Sequence, residues 1–427
     1  MKKVLLLTVL SLAMTSSLVS CGEKKSDEFK PSMDKETKCD IKIVGSYDNF
    51  EAIEEQFDKF NEYYPDVRLS YTKPDDYEKN LATSLSGKDK PNIFFSQPKM
   101  IGNESYADVV SHMEDLSDAK LKINLDCIRP GLIKRDAQNK ILMAPIFSRT
   151  YGALVKEDLF KKHDLKVPTT WYELLAVCAS FREKGVTSPM MGYTNGSKYV
   201  NEFTNVIAYP SFLATLSNNP DALAKANSLD PSAGQYMRDA LTAVKQIVDN
   251  KCIDFTETDQ IEDNYKKMLL RFFEGDVPML LCNGDTVAGT PKREKESEAY
   301  QKSKFAYSFY PVPLTAQGGY FVDSPSVELS VNKDCDNLDM TNEFMRFLIT
   351  DKALKEMAAS KRLTAPTKTI SFDSVYGPFA KIPEARIIRP EALGVSDDLV
   401  KQIRIASYQV GKGEISIDDA IAQYGTF

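Results

Sequence analysis

The stretch Ala144–Leu174, APIFSRTYGALVKEDLFKKHDLKVPTTWYEL, joins two short apolar segments through a polar turn. The first segment ends at Pro145, because proline has no N–H to donate to a central strand. Polar residues at 148–151 then precede a second apolar run. Side chains held between two rigid elements are well placed to contact a ligand. We therefore predict a crossing between two lobes here, with Arg149 and Tyr151 available to a ligand.

The second half of this stretch predicts two helices. Residues 158–162 form the first, which is short. Thr170 and Glu173 have the spacing of a capping box, so a second helix is expected to begin there and to run to about Lys184. Trp171, the only tryptophan of the chain, is expected to pack at the start of this second helix.

Three features of the stretch occur together in one known family. They are a proline-containing strand at the hinge, a glycine followed by Asp-Leu-Phe (Gly152, Asp158, Leu159, Phe160), and a Pro-x-Thr-Trp-x-Glu-Leu segment (Pro168, Thr170, Trp171, Glu173, Leu174). In these features the chain resembles the bacterial extracellular solute-binding proteins of family 1, the relatives of maltose-binding protein. Over roughly residues 40–369 the resemblance implies a periplasmic-binding-protein-like α/β fold, in which two lobes joined by a multi-strand hinge close on a ligand. It also implies delivery of that ligand to an ABC importer.

The amino terminus has the pattern of an export signal. Two lysines at 2–3 precede an apolar run at 4–14, which is shorter than the roughly 20 residues of a membrane-spanning helix. The residues before Cys21 resemble a bacterial lipobox, whose cysteine is acylated and becomes the mature amino terminus. We predict a signal peptide at 1–20, followed at 21–38 by an acylated cysteine and a disordered, charge-rich tether. An ordinary signal peptide with an incidental cysteine is the alternative.

Length, charge and cysteine content narrow the class of protein. About 390 residues follow the leader, too many for one ordinary core, so two domains are expected. A net charge of -7 and a pI near 5.3 argue against a nucleic-acid partner, which requires a basic face. The seven cysteines have no close spacing, so their pairing stays open. No segment after the leader is apolar enough to cross a membrane. We expect the protein to be a monomer.

The first lobe is expected to alternate strands and helices. Apolar patterns predict strands at 39–44, 67–71 and 92–95, and helices at 50–60 and 75–86. This order favours a mostly parallel sheet, whose ligand crevice lies beyond the carboxyl ends of its strands. The residues at these ends are Tyr47, Asp48 and Gln97. Turn chemistry for Asp48 and a surface role for the other two are the alternative.

The later part of the chain is predicted to cross the hinge twice more. Strand-like runs place these crossings near residues 286 and 331, in addition to the one near 147. The predicted amino-terminal lobe therefore contains 39–147 with 287–331. The predicted carboxyl-terminal lobe contains 148–286 with 332–427.

Binding a sugar requires aromatic faces against the apolar side of the ring and polar side chains for its hydroxyl groups. The aromatic residues near the predicted edges of the crevice are Tyr47, Tyr151, Phe203, Tyr320 and Phe321. The polar residues there are Asp48, Gln97, Arg149, Glu202, Asn283, Asp285, Asp323 and Arg362. Glu202 and Phe203 are included because members of the family that this chain resembles often contact their ligand with side chains at this position.

The sequence provides little material for catalysis. Its two histidines, His112 and His163, lie at unrelated positions, which argues against a histidine zinc cluster and against a Ser/His pair. Nucleophile-elbow, P-loop and dinucleotide-binding motifs are absent from the sequence. We therefore expect no catalytic residue, no metal site and no cofactor.

The resemblance implies a solute-binding lipoprotein on the outer face of the cell membrane, or in the periplasm of a two-membrane host. Its partners would be a carbohydrate, expected to be an oligosaccharide, and the permease subunits of an ABC transporter. One alternative is a non-sugar solute, or presentation of the ligand to a membrane sensor. Arginines in a cleft with few aromatic residues would favour an anionic ligand. The other alternative is a secreted glycosidase, which needs two carboxylates about 5 to 10 Å apart.

Overall fold

The computed structural model describes residues 28–47, 50–194, 199–255, 264–275 and 277–427. The predicted signal peptide, Cys21 and Asp48 lie outside these ranges. Two sheets, each with its own helices, organise the described chain. The predicted two-lobed α/β architecture is therefore confirmed.

The first sheet has five strands. In spatial order they are Val67–Thr72, Cys39–Val44, Ile93–Ser96, Glu328–Val331 and Ala144–Pro145. The first three are parallel, and Glu328–Val331 runs antiparallel to both of its neighbours. Ile93–Ser96 is buried along its whole length, as expected of a central strand that is covered on both faces. The sheet is thus parallel in its first half, as its β-α-β-α-β sequence predicts.

The second sheet has four strands. In spatial order they are Met190–Met191, Met279–Asn283, Tyr151–Lys156 and Tyr307–Tyr310. Tyr151–Lys156 is central, fully buried and antiparallel to both neighbours. Two short ribbons complete the strand pairing: Ser148–Arg149 with Ser324–Pro325, and Phe321–Val322 with Ile387–Ile388.

Helices cover both sheets. Those packed with the first sheet are Glu51–Phe60, Tyr77–Ser86, Ala107–Ser111, Leu338–Leu348 and Asp351–Ser360. The remaining α-helices are Glu157–Lys162, Trp171–Glu183, Glu202–Ser217, Pro220–Asn227, Arg238–Asp249, Asn264–Glu274, Gly284–Ala288, Thr290–Glu296, Glu298–Lys302, Pro390–Leu393, Asp397–Lys412 and Ile417–Ala422. Short 3-10 helices occupy Pro98–Met100, Glu104–Tyr106, Leu125–Cys127, Pro130–Leu132, Pro231–Met237, Ser374–Lys381 and Glu384–Arg386.

The capping box predicted at Thr170 is present. The Thr170 hydroxyl accepts from the Glu173 N–H at 3.3 Å, and the Glu173 carboxylate accepts from the Thr170 N–H at 3.3 Å. These bonds satisfy N–H groups that the first helical turn leaves without intrahelical partners. Trp171 packs in the core, as predicted, and its indole donates to Gln246 Oε1 at 2.9 Å.

Strand pairing and the hydrophobic clusters correct the predicted lobe boundaries. Tyr307–Tyr310 pairs with Tyr151–Lys156, so this part of 287–331 belongs to the carboxyl-terminal lobe. Leu338–Leu348 and its successor helix pack in the amino-terminal core, although 332–427 was assigned to the other lobe. The chain therefore crosses near 147–151, 322–327 and 365–375. The sequence alone misplaces the crossings because an apolar run does not reveal its strand partner.

The predicted disordered tether is also corrected in part. Residues from 28 onward return to the amino-terminal lobe and dock on Leu338–Leu348. The Phe29 ring meets the Phe347 ring edge-on at 5.2 Å, and Ser32 donates to both carboxylate oxygens of Glu343 at 2.7 and 2.8 Å. This mixed-charge segment, which has a single aromatic residue, is therefore ordered where that residue packs against the lobe. Within the described ranges, no helix combines the length and the apolarity that a membrane crossing needs.

Candidate functional site

The three chain crossings meet at a buried arginine, Arg129. Its Nε and Nη2 donate to the two carboxylate oxygens of Asp323 at 2.8 Å. Nη2 also donates to Ser148 Oγ at 2.9 Å, and Nη1 donates to the carbonyl oxygens of Ala365 and Thr367. One side chain of the amino-terminal lobe thus binds all three crossing segments. Asp323, considered from the sequence as a ligand partner, is instead fully buried in this hinge pair.

Arg149 extends from the same hinge toward the space between the lobes. Its guanidinium pairs with Asp285, whose other carboxylate oxygen accepts from the Ser326 hydroxyl. About a third of each side chain in the Arg149–Asp285 pair is exposed, 33% and 31%. Burial opposes the charge on Arg149, but the Asp285 carboxylate together with Tyr151 and Tyr47 raises the pKa of Arg149. The Arg149 Nε is buried without a hydrogen-bond partner, so the guanidinium has a donor to spare.

Asn283 holds Asp285 in place. It ends its strand, and its Oδ1 accepts from the N–H groups of Asp285 and Thr286 at 2.9 and 3.2 Å, as an N-cap does. A Cβ at Gly284 would lie 3.1 Å from the Tyr376 hydroxyl and 3.2 Å from Arg149 Cβ. The strand-to-helix turn therefore fits closely behind Arg149 and presents the Asp285 carboxylate beside it.

Tyr47 belongs to the other lobe and lies near enough to this ion pair for both charges to act on its hydroxyl. Its backbone is fixed by two bonds with the Tyr71 hydroxyl, which accepts from Tyr47 N at 3.1 Å and donates to Tyr47 O at 2.9 Å. The surrounding protein and the Asp285 carboxylate raise the pKa of Tyr47, while Arg149 and the Ser326 hydroxyl oppose this rise. Even so, 37% of Tyr47 is exposed, which is unusual for a large apolar side chain of this protein. We call Tyr47, Arg149, Asp285 and Ser326 the interlobe site.

A second layer of predicted residues lies behind the interlobe site. Tyr151 is buried and meets the Tyr209 ring edge-on at 5.5 Å. Glu202 is also buried, and its Oε1 accepts from Asn283 Nδ2 at 3.1 Å. Tyr151, Glu202 and Asn283 are thus positioned to support Arg149 and Asp285 rather than to meet a ligand in this conformation.

Four predicted residues lie elsewhere. Phe203 and Phe321 are buried in the cores against Phe255 and Phe379, which corrects their assignment to the ligand. Their apolar patterns look alike whether the ring faces a core or a crevice, so the sequence could not separate the two. The other two residues are Tyr320 and Arg362.

Tyr320 and Arg362 are engaged outside the interlobe site. The Tyr320 ring stacks under Arg386, with 4.6 Å between the guanidinium carbon and the ring centroid. Arg362 bridges to the carboxyl-terminal lobe through Thr290, Glu294 and Tyr307, at 2.9 to 3.1 Å. Neither residue is brought to Tyr47.

Gln97 is exposed at the carboxyl end of its strand and donates to Glu78 at 3.3 Å, so its contact with a ligand stays a prediction. Asp48 lies outside the described residues. Among the described residues, no group of three or more His, Cys, Asp or Glu side chains could hold a metal ion.

Glu328 is a buried acidic residue at the hinge that the sequence pattern did not single out. It lies opposite Ser96 and Pro145 in the first sheet, at the edge where the parallel strands end. It is 1% exposed, and neither of its carboxylate oxygens has a hydrogen-bond partner. Burial and Glu391 raise the pKa of Glu328, with Lys134 and Arg149 acting against them. The sequence does contain a signal for this residue: it is a single acidic side chain within an apolar strand that is expected to be buried on both faces.

Two surface cavities lie away from the interlobe site. One of about 680 Å³ is bounded by the docked residues 28–30 and by 116–126, and one of about 540 Å³ by Tyr320, Arg386 and their neighbours. None of the four interlobe residues lines either cavity. The interlobe site is therefore recognised by its chemistry and by its position between the lobes.

Solved structures with the same fold cover nearly the whole chain. A protein from a study of xylan utilization by the thermophilic bacterium Caldanaerobius polysaccharolyticus is 18% identical, with a TM-score of 0.67 over 91% of this chain and 99% of that one. Apo RafE from Streptococcus pneumoniae is 15% identical, with a TM-score of 0.65 over 93% and 98%. The GacH receptor of Streptomyces glaucescens, solved unliganded and with acarbose, is 18% identical, with a TM-score of 0.64 over 91% and 97%.

A family model supports the same relationship at the level of sequence. No curated protein matches the chain. The model described as bacterial extracellular solute-binding protein matches residues 55–376, which is most of the chain and includes parts of both lobes and all three crossings. The chain belongs to the family of bacterial extracellular solute-binding proteins.

Proposed function

We propose that this protein is the carbohydrate-binding lipoprotein of an ABC importer. It captures an oligosaccharide between its lobes and delivers it to the membrane permease, while an acyl group on Cys21 anchors it to the outer face of the membrane. It acts as a monomer and performs no chemistry on its ligand. The described lobes, roughly 28–147 with 327–365 and 151–322 with 375–427, close about the three-stranded hinge.

The observation that carries this proposal is the composition of the interlobe site. Tyr47 offers a partly exposed aromatic ring from one lobe, and Arg149 and Asp285 offer partly exposed planar hydrogen-bonding groups from the other side. Sugars have apolar ring faces and many hydroxyl groups, so they match an aromatic platform flanked by such groups.

Relatives of the same fold support a saccharide. RafE has been solved in complex with raffinose, GacH with acarbose, and a sugar transporter protein from Bacillus licheniformis with stachyose. These structures are all below 25% identical to this chain. They support a saccharide as the class of ligand, but they do not point to a particular sugar.

An anionic ligand is the second candidate, and the ion pairs argue against it. Arg149 is paired with Asp285, and Arg362 is paired with Glu294. An anion in the interlobe site would lie beside the Asp285 carboxylate, and it would compete with that carboxylate for Arg149. A neutral, hydroxyl-rich ligand avoids this repulsion.

Closure of the lobes is expected to bury the ligand. A ligand that contacts Tyr47 on one side and Arg149 on the other binds the closed form better than the open form, and this difference drives closure. Arg129 holds the crossing segments next to one another during this movement. We therefore expect the hinge to bend at the two-stranded ribbon that Ser148–Arg149 and Ser324–Pro325 form.

Thermal unfolding of residues 22–427 against mono- and oligosaccharides, amino acids and small anions tests the ligand class. A ligand at 100 times its dissociation constant adds about 2.7 kcal/mol to the free energy of unfolding, which gives a measurable rise in midpoint. An oligosaccharide that raises the midpoint and is recovered intact supports the proposal. A rise with anions alone would refute the sugar assignment, and recovery of a cleaved sugar would favour a glycosidase.

The lipid anchor has its own test. Full-length protein expressed in a bacterium should partition with membranes, and a Cys21→Ser variant should appear in the soluble extracytoplasmic fraction. Equal partitioning of the two proteins would contradict acylation at Cys21.

A further inference from the structure

Two buried cysteines lie on neighbouring elements of the same core in the carboxyl-terminal lobe. Cys178 lies on the helix Trp171–Glu183, and Cys252 follows the helix Arg238–Asp249. Both are 0% exposed and belong to the same hydrophobic core. Each thiol acts on the other, so that the pKa of Cys178 is raised and that of Cys252 is lowered. Both are free thiols in this structure. Sequence spacing gave no sign of this pairing, because 74 positions separate the residues (252 − 178).

The backbone on both sides of the pair is held in register. One turn from Cys178, Arg182 donates to the Lys251 carbonyl at 3.1 Å, and two turns before it Trp171 donates to Gln246 at 2.9 Å. These positions share a helix face, since residues four and seven apart lie on one side of an α-helix.

Cys252 is fixed in the same way. Its N–H donates to the Ile247 carbonyl at 2.9 Å, and its carbonyl accepts from Met190 N at 2.9 Å. The cysteine is therefore held between the end of a helix and the edge of the second sheet. A disulfide at this position would join the two sulfur atoms at about 2.05 Å.

We propose that Cys178 and Cys252 form a structural disulfide in the exported protein. Proteins of this family are extracellular, and disulfides form and persist in such oxidising surroundings. The reaction removes one hydrogen from each thiol and joins the two sulfur atoms. The two electrons and two protons pass to a disulfide-bearing thiol oxidant of the extracytoplasmic space, which is reduced to two thiols. The oxidant acts before the core closes, since both cysteines are inaccessible in the folded lobe.

The other buried cysteines provide internal controls. The Cys127 thiol donates to the Ile349 carbonyl at 3.8 Å, in the amino-terminal core. Cys282 is buried in a different cluster of the carboxyl-terminal lobe, and burial raises the pKa of its thiol well above the ordinary value. We expect both to remain thiols when Cys178 and Cys252 are oxidised.

Peptide mapping of the full chain, exported to an oxidising compartment and alkylated under denaturing conditions without reductant, tests the disulfide. The expected product is a linked pair of peptides carrying residues 178 and 252, lighter than the two free peptides by two hydrogen atoms. Cys127 and Cys282 should be alkylated in the same sample. Complete alkylation of Cys178 and Cys252, or a link between other cysteines, would overturn the proposal.

Thermal unfolding adds a readout that does not depend on ligand binding. Reductant should lower the midpoint of the exported protein, because a broken cross-link returns chain entropy to the unfolded state. The double variant Cys178→Ala/Cys252→Ala should not respond to reductant. The matched variant Cys282→Ala should respond as the unmodified protein does. A midpoint that is independent of reductant in all three would also count against the disulfide.

Discussion

Arg129 binds Asp323 with two parallel hydrogen bonds of 2.8 Å, and both side chains are almost completely buried where the three hinge segments meet. Bidentate geometry of this kind is specific to arginine, whose planar guanidinium matches a carboxylate. The remaining donors reach Ser148, Ala365 and Thr367. The pair therefore fixes how the crossing segments lie next to one another.

We expect Arg129→Ala to lower the free energy of unfolding by about 3 kcal/mol, because it leaves the Asp323 carboxylate buried without its main partner. The effect should lie at the low end of the usual range, since Arg389 Nε remains 3.3 Å from Asp323. Urea unfolding measures the change. The exposed pair Arg68–Asp40 supplies the control: Arg68→Ala should cost less than about 1 kcal/mol. Equal losses in the two variants would contradict a hinge role for Arg129.

Tyr47→Ala should weaken ligand binding by tenfold or more, because it removes an aromatic platform and the apolar area it contributes. Tyr172, which is 74% exposed on the helix Trp171–Glu183, is the matched control. Tyr172→Ala should leave the dissociation constant unchanged. Titration calorimetry with the sugar found by the thermal panel measures both. If both variants bound equally well, the site would have to lie away from Tyr47.

Arg362→Ala separates an interlobe contact from a ligand contact. Arg362 donates to Thr290, Glu294 and Tyr307, so its loss should cost about 1–3 kcal/mol of stability while the dissociation constant for the sugar stays within about twofold. In Arg149→Ala we expect the opposite: the dissociation constant for the sugar should rise more than the stability falls. Parallel urea and calorimetric titrations of the two variants decide the point. A large loss of affinity in Arg362→Ala would restore it to the ligand site.

The sequence predicted local features well and long-range partners poorly. The capping box at Thr170 and the early parallel strands depend on short-range patterns, and both are present. The partner of Tyr307–Tyr310 depends on a strand about 150 residues away, so the lobe boundary was misplaced.

The same limit applies to the site. Tyr47 was predicted from its position at the end of a parallel strand, and it is accessible between the lobes. Phe203 was predicted by analogy of position, but its ring packs inward, with its backbone so close to Gly192 that a Cβ there would lie 2.6 Å from Phe203 N. Which way a helical side chain points depends on the phase of its helix against the rest of the lobe. That phase is a property of the assembled structure.

Glu328 gives a pH-dependent prediction. Burial raises its pKa well above the usual value of ~4.3, so the folded protein retains a proton that the unfolded chain loses. The folded state therefore binds more protons than the unfolded state, and the contribution of Glu328 to stability falls as the pH rises above ~4.3. The loss continues until the pH passes the raised pKa of the folded state.

Glu328→Gln should remove this dependence, because the amide has nearly the same shape as the protonated acid and does not ionise. Its stability relative to the unmodified protein should grow with pH above ~4.3, by up to about 1.4 kcal/mol per pH unit. Urea unfolding of both proteins between pH 4 and pH 8, roughly the window in which this linkage acts, measures the difference. Glu391 also has a raised pKa from burial and acts on Glu328, so both proteins are compared in a Glu391→Gln background, in which position 391 does not titrate. Stability curves that stay parallel across this window would mean that Glu328 ionises in the folded state, with water or the Arg149 guanidinium as its partner.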